Sequence, residues 1–288
     1  LWANKPVLLE NRAMNDINPA FLKASAMPDV QSTLDERALP IESVGIRGVR
    51  HPLTIRSASG DFPSVGTFEM DVALPAHVKG THMSRFMALL QKQDMAVDST
   101  TVIALVRDML PLLDAKEGHV QFSYTHFVKK AAPVSGVESL MDYEVTWKAS
   151  AKQNPSGNLD IELGLRAQVP VMSLCPCSKE ISEFGAHNQR SHVTMDVVLD
   201  SQAKMTVEDL VDIAESEASS ELWGLLKRPD EKWVTEHSYS NPKFVEDLVR
   251  DVAGHLKADQ RIRSFMVEAE NFESIHNHSA FARISFVK

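Results

Sequence analysis

The chain has 288 residues, 43% of them hydrophobic and 24% charged, enough for one large domain or two fused units. With 30 basic against 39 acidic residues the net charge is −9, which argues against nucleic acid as a partner. Only 2 cysteines argue against a disulfide framework and fit a reducing, cytoplasmic compartment, and no apolar run of about 18 residues offers a membrane span.

Residues 1–30 lack the basic flank and long apolar core of a signal peptide and read as a disordered N-terminal extension. Pro40 to Arg56 is a short strand-like approach, and Val65 to Leu74 alternates as a strand. A helix starts at Thr81 or Ser84, with Phe86, Leu89 and Leu90 on one face. A second spans Ser99 to Leu113, capped by Ser99 or Thr100 and ended by Gly118. Strands follow at His119–Lys130 and Met141–Ala151, then a turn at Asn154-Pro155-Ser156-Gly157. The second half repeats the order. Leu159–Val171 and Val193–Leu199 are strands, a helix runs from Thr206 to about Leu226, and another from Lys243 to Lys257. Arg263–Glu270 and Ser279–Val287 close the chain. Strands arranged around helix pairs argue for an antiparallel α+β fold, read as one unit over residues 31–153 and another over 154–288. Neither GxGxxG nor GxxxxGK[ST] occurs, so nothing indicates Rossmann or P-loop chemistry.

The chemistry concentrates in VMSLCPCSKEISEFGAHNQRSH, Val171 to His192. It holds Cys175 and Cys177, then His187 and His192, with Lys179, Gln189 and Arg190 adding polar reach. Apolar residues lead in and out, so the run is a loop with a short helical turn hung between two strands. A cysteine in apolar surroundings is commonly an inert core residue. Here the neighbours are Pro, Ser, Lys, Glu, His, Gln and Arg, which is not core composition. Cysteines spaced CxC seldom reach relaxed disulfide geometry, so a reactive or metal-bound thiol is favoured. Thiolate and imidazole suit divalent transition metals, and one such loop supplies half of a four-coordinate site. His276 and His278 lie near the other end of the chain, and a His-x-His pair on a strand puts both rings on one face.

Six segments, KGTHMSRF, SLCPCSKEIS, GAHNQRSH, LLKRPDEK, NPKFVEDLVRD and VEAENFESIHNHSA, resemble the signatures of GTP cyclohydrolase type IB, over a span from about Asp29 to the C-terminus. The resemblance implies a tunnelling fold: two ββααββ-type units per chain, with antiparallel sheets backed by helix pairs. It also implies a homotetramer with active sites at subunit interfaces. The implied reaction converts GTP and water to 7,8-dihydroneopterin triphosphate and formate, the first step of folate and pterin synthesis. It places one divalent metal, Mn, Fe or Zn, on Cys175, His187, Glu231 and His276. His278, Cys177 and His192 are then candidates for proton transfer, and Cys175 for a direct catalytic role. Glu246 would anchor the guanine. His82, Arg85, Lys179 and Arg190 would meet the triphosphate, with Gln189 beside them.

Two other classes compete. A related tunnelling-fold nitrile reductase uses a cysteine nucleophile and a nicotinamide cofactor, and its chemistry does not require the His187, Glu231 and His276 set. A metal buffer or thiol sensor would account for Cys175, Cys177 and the histidines but not for KGTHMSRF or KFVEDL. Metal-dependent turnover of GTP separates all three.

Overall fold

The computed structural model describes residues 29–288 apart from 32, 59, 93–95 and 201–202. The extension expected over residues 1–30 falls almost wholly outside them. Eight strands form one antiparallel sheet in strict chain order: β1 (Ile41–Ser57), β2 (Gly60–Leu74), β3 (Glu117–Ala131), β4 (Glu138–Gln153), β5 (Leu159–Leu174), β6 (Asn188–Leu199), β7 (Ile262–Asn271) and β8 (Ala280–Val287). The sheets of the two sequence halves are therefore continuous. The β4–β5 ladder, from Glu144 opposite Gln168 to Gln153 opposite Leu159, is the seam.

The period-2 pattern puts one row of each strand under the helices and the other on a helix-free face. The buried row runs through Phe122, Tyr143, Val145, Trp147, Leu165, Val193, Met195 and Val267. The opposite row is polar and cross-linked: Lys148 bonds Asp196 at 2.5 Å, His119 bonds Asp71 at 2.9 Å, and Ser123 meets Thr146 at 2.8 Å. Helices α1 (Met83–Leu90) and α2 (Ser99–Leu112) cover the first half. The second half carries α3 (Pro176–Ile181) in the cysteine loop, then α4 (Val207–Glu217), α5 (Arg228–Ser240) and α6 (Val245–Ala258).

Several boundaries differ from the sequence reading, each for a local reason. The approach at Pro40–Arg56 is a 17-residue strand, because β1 pairs along the whole of β2. The cap of α2 is Asp98. Its Oδ1 accepts the Thr100 and Thr101 amides at 2.9 Å, and Thr101 Oγ1 accepts the Asp98 amide at 2.8 Å. Gly118 does not end α2; it lies inside β3, where a Cβ would come within 2.8 Å of the Asp71 carbonyl oxygen. The helix beginning after Thr206 stops at Glu217, since Ser219 and Ser220 leave it to bond the end of β5. Leu174 N donates to Ser219 Oγ at 3.0 Å, and Met172 N donates to the Ser220 carbonyl at 2.9 Å. The polar stretch after Lys227 is helix α5, started by Pro229 in its first turn.

Candidate active site

The strand order gathers most candidates at one end of the sheet. β5 runs out at Leu174 into Cys175, and β6 returns from His187. At the same end lie the β3–β4 turn, the β7–β8 loop and the N-terminus of α6. Phe272 N donates to the Arg190 carbonyl at 3.0 Å, which ties the β7–β8 loop to β6. Lys243 N donates to the Leu174 carbonyl at 3.1 Å, which brings the start of α6 beside Cys175.

The cysteine loop is closed by its own backbone. Cys175 N donates to the His187 carbonyl at 3.1 Å, and His187 N donates to Ser178 Oγ at 3.2 Å. Cys175 is the N-cap of α3, and its Sγ accepts the Ser178 amide at 3.5 Å. Neither thiol is bridged; Cys175 is half-buried and Cys177 exposed. Cys175 and His187 are thus neighbours, and thiolate with imidazole is a sound half-shell for Mn, Fe or Zn. His187 Nδ1 faces Gln189 Oε1 at 3.1 Å. Gln189 was expected at the substrate, but it is buried, and its Nε2 donates to Ser173 Oγ at 2.9 Å.

Glu231 is exposed in the first turn of α5. Its neighbour Asp230 fixes that turn. The buried Asp230 carboxylate accepts from Val134 N at 2.9 Å, Ser135 N at 2.7 Å, Ser135 Oγ at 2.6 Å and Lys227 N at 2.8 Å. Burial alone would raise its pKa, but these donors hold it well below the usual carboxylate range. So α5 is clamped at its start to the β3–β4 turn. At its other end, Lys179 Nζ donates to the Tyr239 carbonyl at 2.6 Å and sits 4.5 Å from the Tyr239 ring centre. Lys179 is therefore engaged by the protein.

His276 and His278 stack at 5.1 Å in the loop between β7 and β8, exposed and outside any strand. The expected pairing on one face survives without strand geometry. His192 lies on β6 on the helix-free face, edge-on to Phe272 at 4.8 Å. Burial pushes its pKa down, partly opposed by Glu270. Glu246 is exposed in the first turn of α6, where the helix dipole favours a carboxylate. Arg190 is exposed near the start of β6. Among the described residues, no three His, Cys, Asp or Glu side chains converge as a metal-holding group. Cys175 and His187 are joined through their backbones; Glu231 and His276 share their end of the sheet without joining them.

Two candidates lie elsewhere. β2 leaves the sheet at Leu74, at the end where β5 begins, and leads to His82 and Arg85. The 16 residues of β5 separate the two ends by on the order of 50 Å at ~3.3 Å per residue. His82 is the N-cap of α1, 3.4 Å from Asp29, and Arg85 Nη1 donates to the Leu112 carbonyl at 3.0 Å, capping α2. Within one chain neither can meet the cysteine loop. Sequence reasoning missed Asp230, Ser173, Ser191 and Asn271; the signal was that all four sit inside the quoted segments LLKRPDEK, SLCPCSKEIS, GAHNQRSH and VEAENFESIHNHSA.

No helix among the described residues is long and apolar enough to cross a membrane. Among solved structures the chain is similar to urate oxidase from Bacillus subtilis 168, with a TM-score of 0.52, 8% identity, and coverage of 85% of this chain and 98% of that one. It is also similar to a highly active mutant of Bacillus sp. TB-90 urate oxidase, with a TM-score of 0.50, 11% identity, and coverage of 86% and 100%. At such identity the likeness speaks for the fold alone, an α+β tunnelling fold. By sequence it is 87% identical over 272 residues to the GTP cyclohydrolase FolE2 of Polynucleobacter asymbioticus, 94% of this chain and 100% of that protein. It is 57% identical over 271 residues to the FolE2 of Cupriavidus pinatubonensis, 94% of this chain and 96% of that protein. The family model described as type I GTP cyclohydrolase folE2 matches residues 27–282, and the chain belongs to that family.

Proposed function

We propose that this chain is a metal-dependent GTP cyclohydrolase of the type IB branch, converting GTP and water to 7,8-dihydroneopterin triphosphate and formate at the head of folate biosynthesis. One observation carries the reading: the meander brings Cys175, His187, Glu231, Glu246, His276 and His278 to a single end of the sheet. Cys175, His187, Glu231 and His276 would hold one divalent metal, Mn, Fe or Zn. When bound, it supplies Lewis-acid activation of the water that adds to purine C8.

The remaining work falls to side chains. The Glu246 carboxylate accepts from guanine N1–H and the exocyclic amine, which adenine cannot match. His278 and His192 hold and move protons at the imidazole nitrogens of the base, with Cys177 a further candidate. Burial keeps His192 towards its neutral form, able to accept a proton. Arg190, exposed at this end of the sheet, is the cation for the triphosphate. His82 and Arg85 lie at the far end, so their part in triphosphate binding requires a second copy of the chain. A homotetramer with composite sites fits that need. Each site would take its cysteine loop from one subunit and KGTHMSRF from the next. Metal-reconstituted protein incubated with GTP should produce pterin fluorescence and formate together. Absence of both in metal-loaded, folded protein would remove the reading.

A further inference from the structure

We propose that Gln189 is a positioning residue that sets the tautomer of His187, at the end of a buried hydrogen-bond chain starting at Asn271. The inference rests on the reading of His187 as a metal ligand, but its physical content does not need the metal. The chain crosses three strands. Ser191 Oγ donates to Asn271 Oδ1 at 2.8 Å, Ser173 and Ser191 share a proton at 2.8 Å, and Gln189 Nε2 donates to Ser173 Oγ at 2.9 Å. Gln189 Oε1 then lies 3.1 Å from His187 Nδ1. All four residues are at most 8% exposed, so water does not compete for these groups.

The polarity of the chain follows from counting protons. Ser191 has one hydroxyl proton, and the Asn271 carbonyl takes it. Its oxygen must then accept the Ser173 proton, and Ser173 Oγ must accept from the Gln189 amide nitrogen. That turns the Gln189 carbonyl towards His187. An acceptor facing Nδ1 requires Nδ1–H, which leaves the lone pair of the neutral imidazole on Nε2. Turning the Asn271 amide over would invert every link and put the proton on Nε2. The imidazole that stands beside Cys175 is thus prepared as an Nε2 donor before any metal arrives. One donor and one acceptor of the buried Gln189 amide are engaged in this chain, which assigns it to positioning.

Long-range 1H–15N correlation spectra of the metal-free, 15N-labelled full chain at about pH 8 read the tautomer directly. The His187 signals are assigned by their loss in His187→Gln. The wild type should show a protonated Nδ1 and a bare Nε2. Gln189→Glu keeps the acceptor and should keep that pattern. Gln189→Leu should lose it and weaken zinc binding by about 10–100-fold. A protonated Nε2 in the wild type overturns the proposal, as does equal loss of zinc in the Glu and Leu variants. If Gln189→Leu does not fold, the wild-type and Gln189→Glu spectra decide alone. Undiminished zinc binding by His187→Gln would overturn the ligand reading instead and leave the tautomer assignment standing.

Discussion

At the scale of single residues, the division between Cys175 and Cys177 is the sharpest expectation. Cys175 is folded against His187, whereas Cys177 projects from α3 into solvent. Cys175→Ala and His276→Ala should each lose bound metal and GTP turnover while staying folded, and Cys177→Ala should keep its metal. Metal analysis of the three purified proteins checks this, and wild-type occupancy in the first two would remove the ligand set. Glu246 is tested differently, because nothing in its surroundings demands a carboxylate. If it pairs with two guanine N–H groups in a dry pocket, its removal costs on the order of 2–4 kcal/mol. Glu246→Gln should then depress turnover by a large factor, leave metal content unchanged and narrow the preference for GTP over ATP in competition binding. Cys175 and His187 were legible in the sequence because thiol and imidazole on one short loop cannot be far apart. The partners of Lys179 and Arg85 were not, because each is set by the docking of an element distant in the chain, and that of Gln189 with Ser173 was not, because it depends on the β5–β6 register. Arg85 was expected at the triphosphate; within its own chain it caps a helix that ends 27 residues later.

At the scale of elements, α5 and α4 carry the pH and stability arguments. The Asp230 clamp holds α5 on the β3–β4 turn and thereby sets where Glu231 stands. Asp230→Ala should speed hydrogen exchange at the α5 amides and weaken metal binding, and Asp230→Asn, which keeps one carbonyl acceptor, should do so less. Unchanged exchange in the Ala variant would mean that packing alone holds the helix. At α4, burial would raise the pKa of Glu208, but His126 Nε2 at 3.2 Å and the Ala58 amide at 3.0 Å bring it down to about 2, from an ordinary 4.5. A depressed carboxylate stabilises the fold fully above pH 4.5 and loses that contribution as the pH falls towards 2. With solvent screening the effect is on the order of 1–2 kcal/mol. Urea titrations of wild type and Glu208→Gln should therefore differ most near neutral pH and converge in acid; a constant gap would exclude the linkage. The strands and α1, α2 and α6 were readable from periodicity. α5 was not, because its sequence RPDEKWVTEHSYS is polar on most faces and only Asp230, Val234 and Ser238 are buried.

At the scale of the whole molecule, the distance between KGTHMSRF and the cysteine loop is a statement about assembly. A chain lacking Cys175 still carries an intact His82 and Arg85, and the reverse is equally true. If each site draws on two subunits, refolded mixtures of Cys175→Ala with a His82→Ala/Arg85→Ala double variant should recover activity absent from either alone. Random mixing in equal amounts would restore about a quarter of the sites. No recovery in mixed assemblies confirmed by mass spectrometry would show that each chain works by itself. A fully active monomer by light scattering would do the same. The antiparallel α+β class followed from element order. That the two halves share one sheet did not, because edge pairing between β4 and β5 leaves no mark on hydrophobic patterning.

The seam between β4 and β5 also bears on how the two halves of the molecule find each other. It is backbone pairing of two edge strands, the same contact by which separate chains extend a sheet. Here the turn at Asn154–Gly157 makes it intramolecular, with Asn154 Oδ1 accepting the Ser156 and Asn158 amides and Gly157 at φ +84°. Tethering replaces an encounter between two bodies with an effective concentration in the millimolar range. A half-length unit would have to meet its own copy at that seam by diffusion; this continuous chain brings the two strands together on synthesis, and among the described strands the edges left without a neighbour in the chain are β1 and β8.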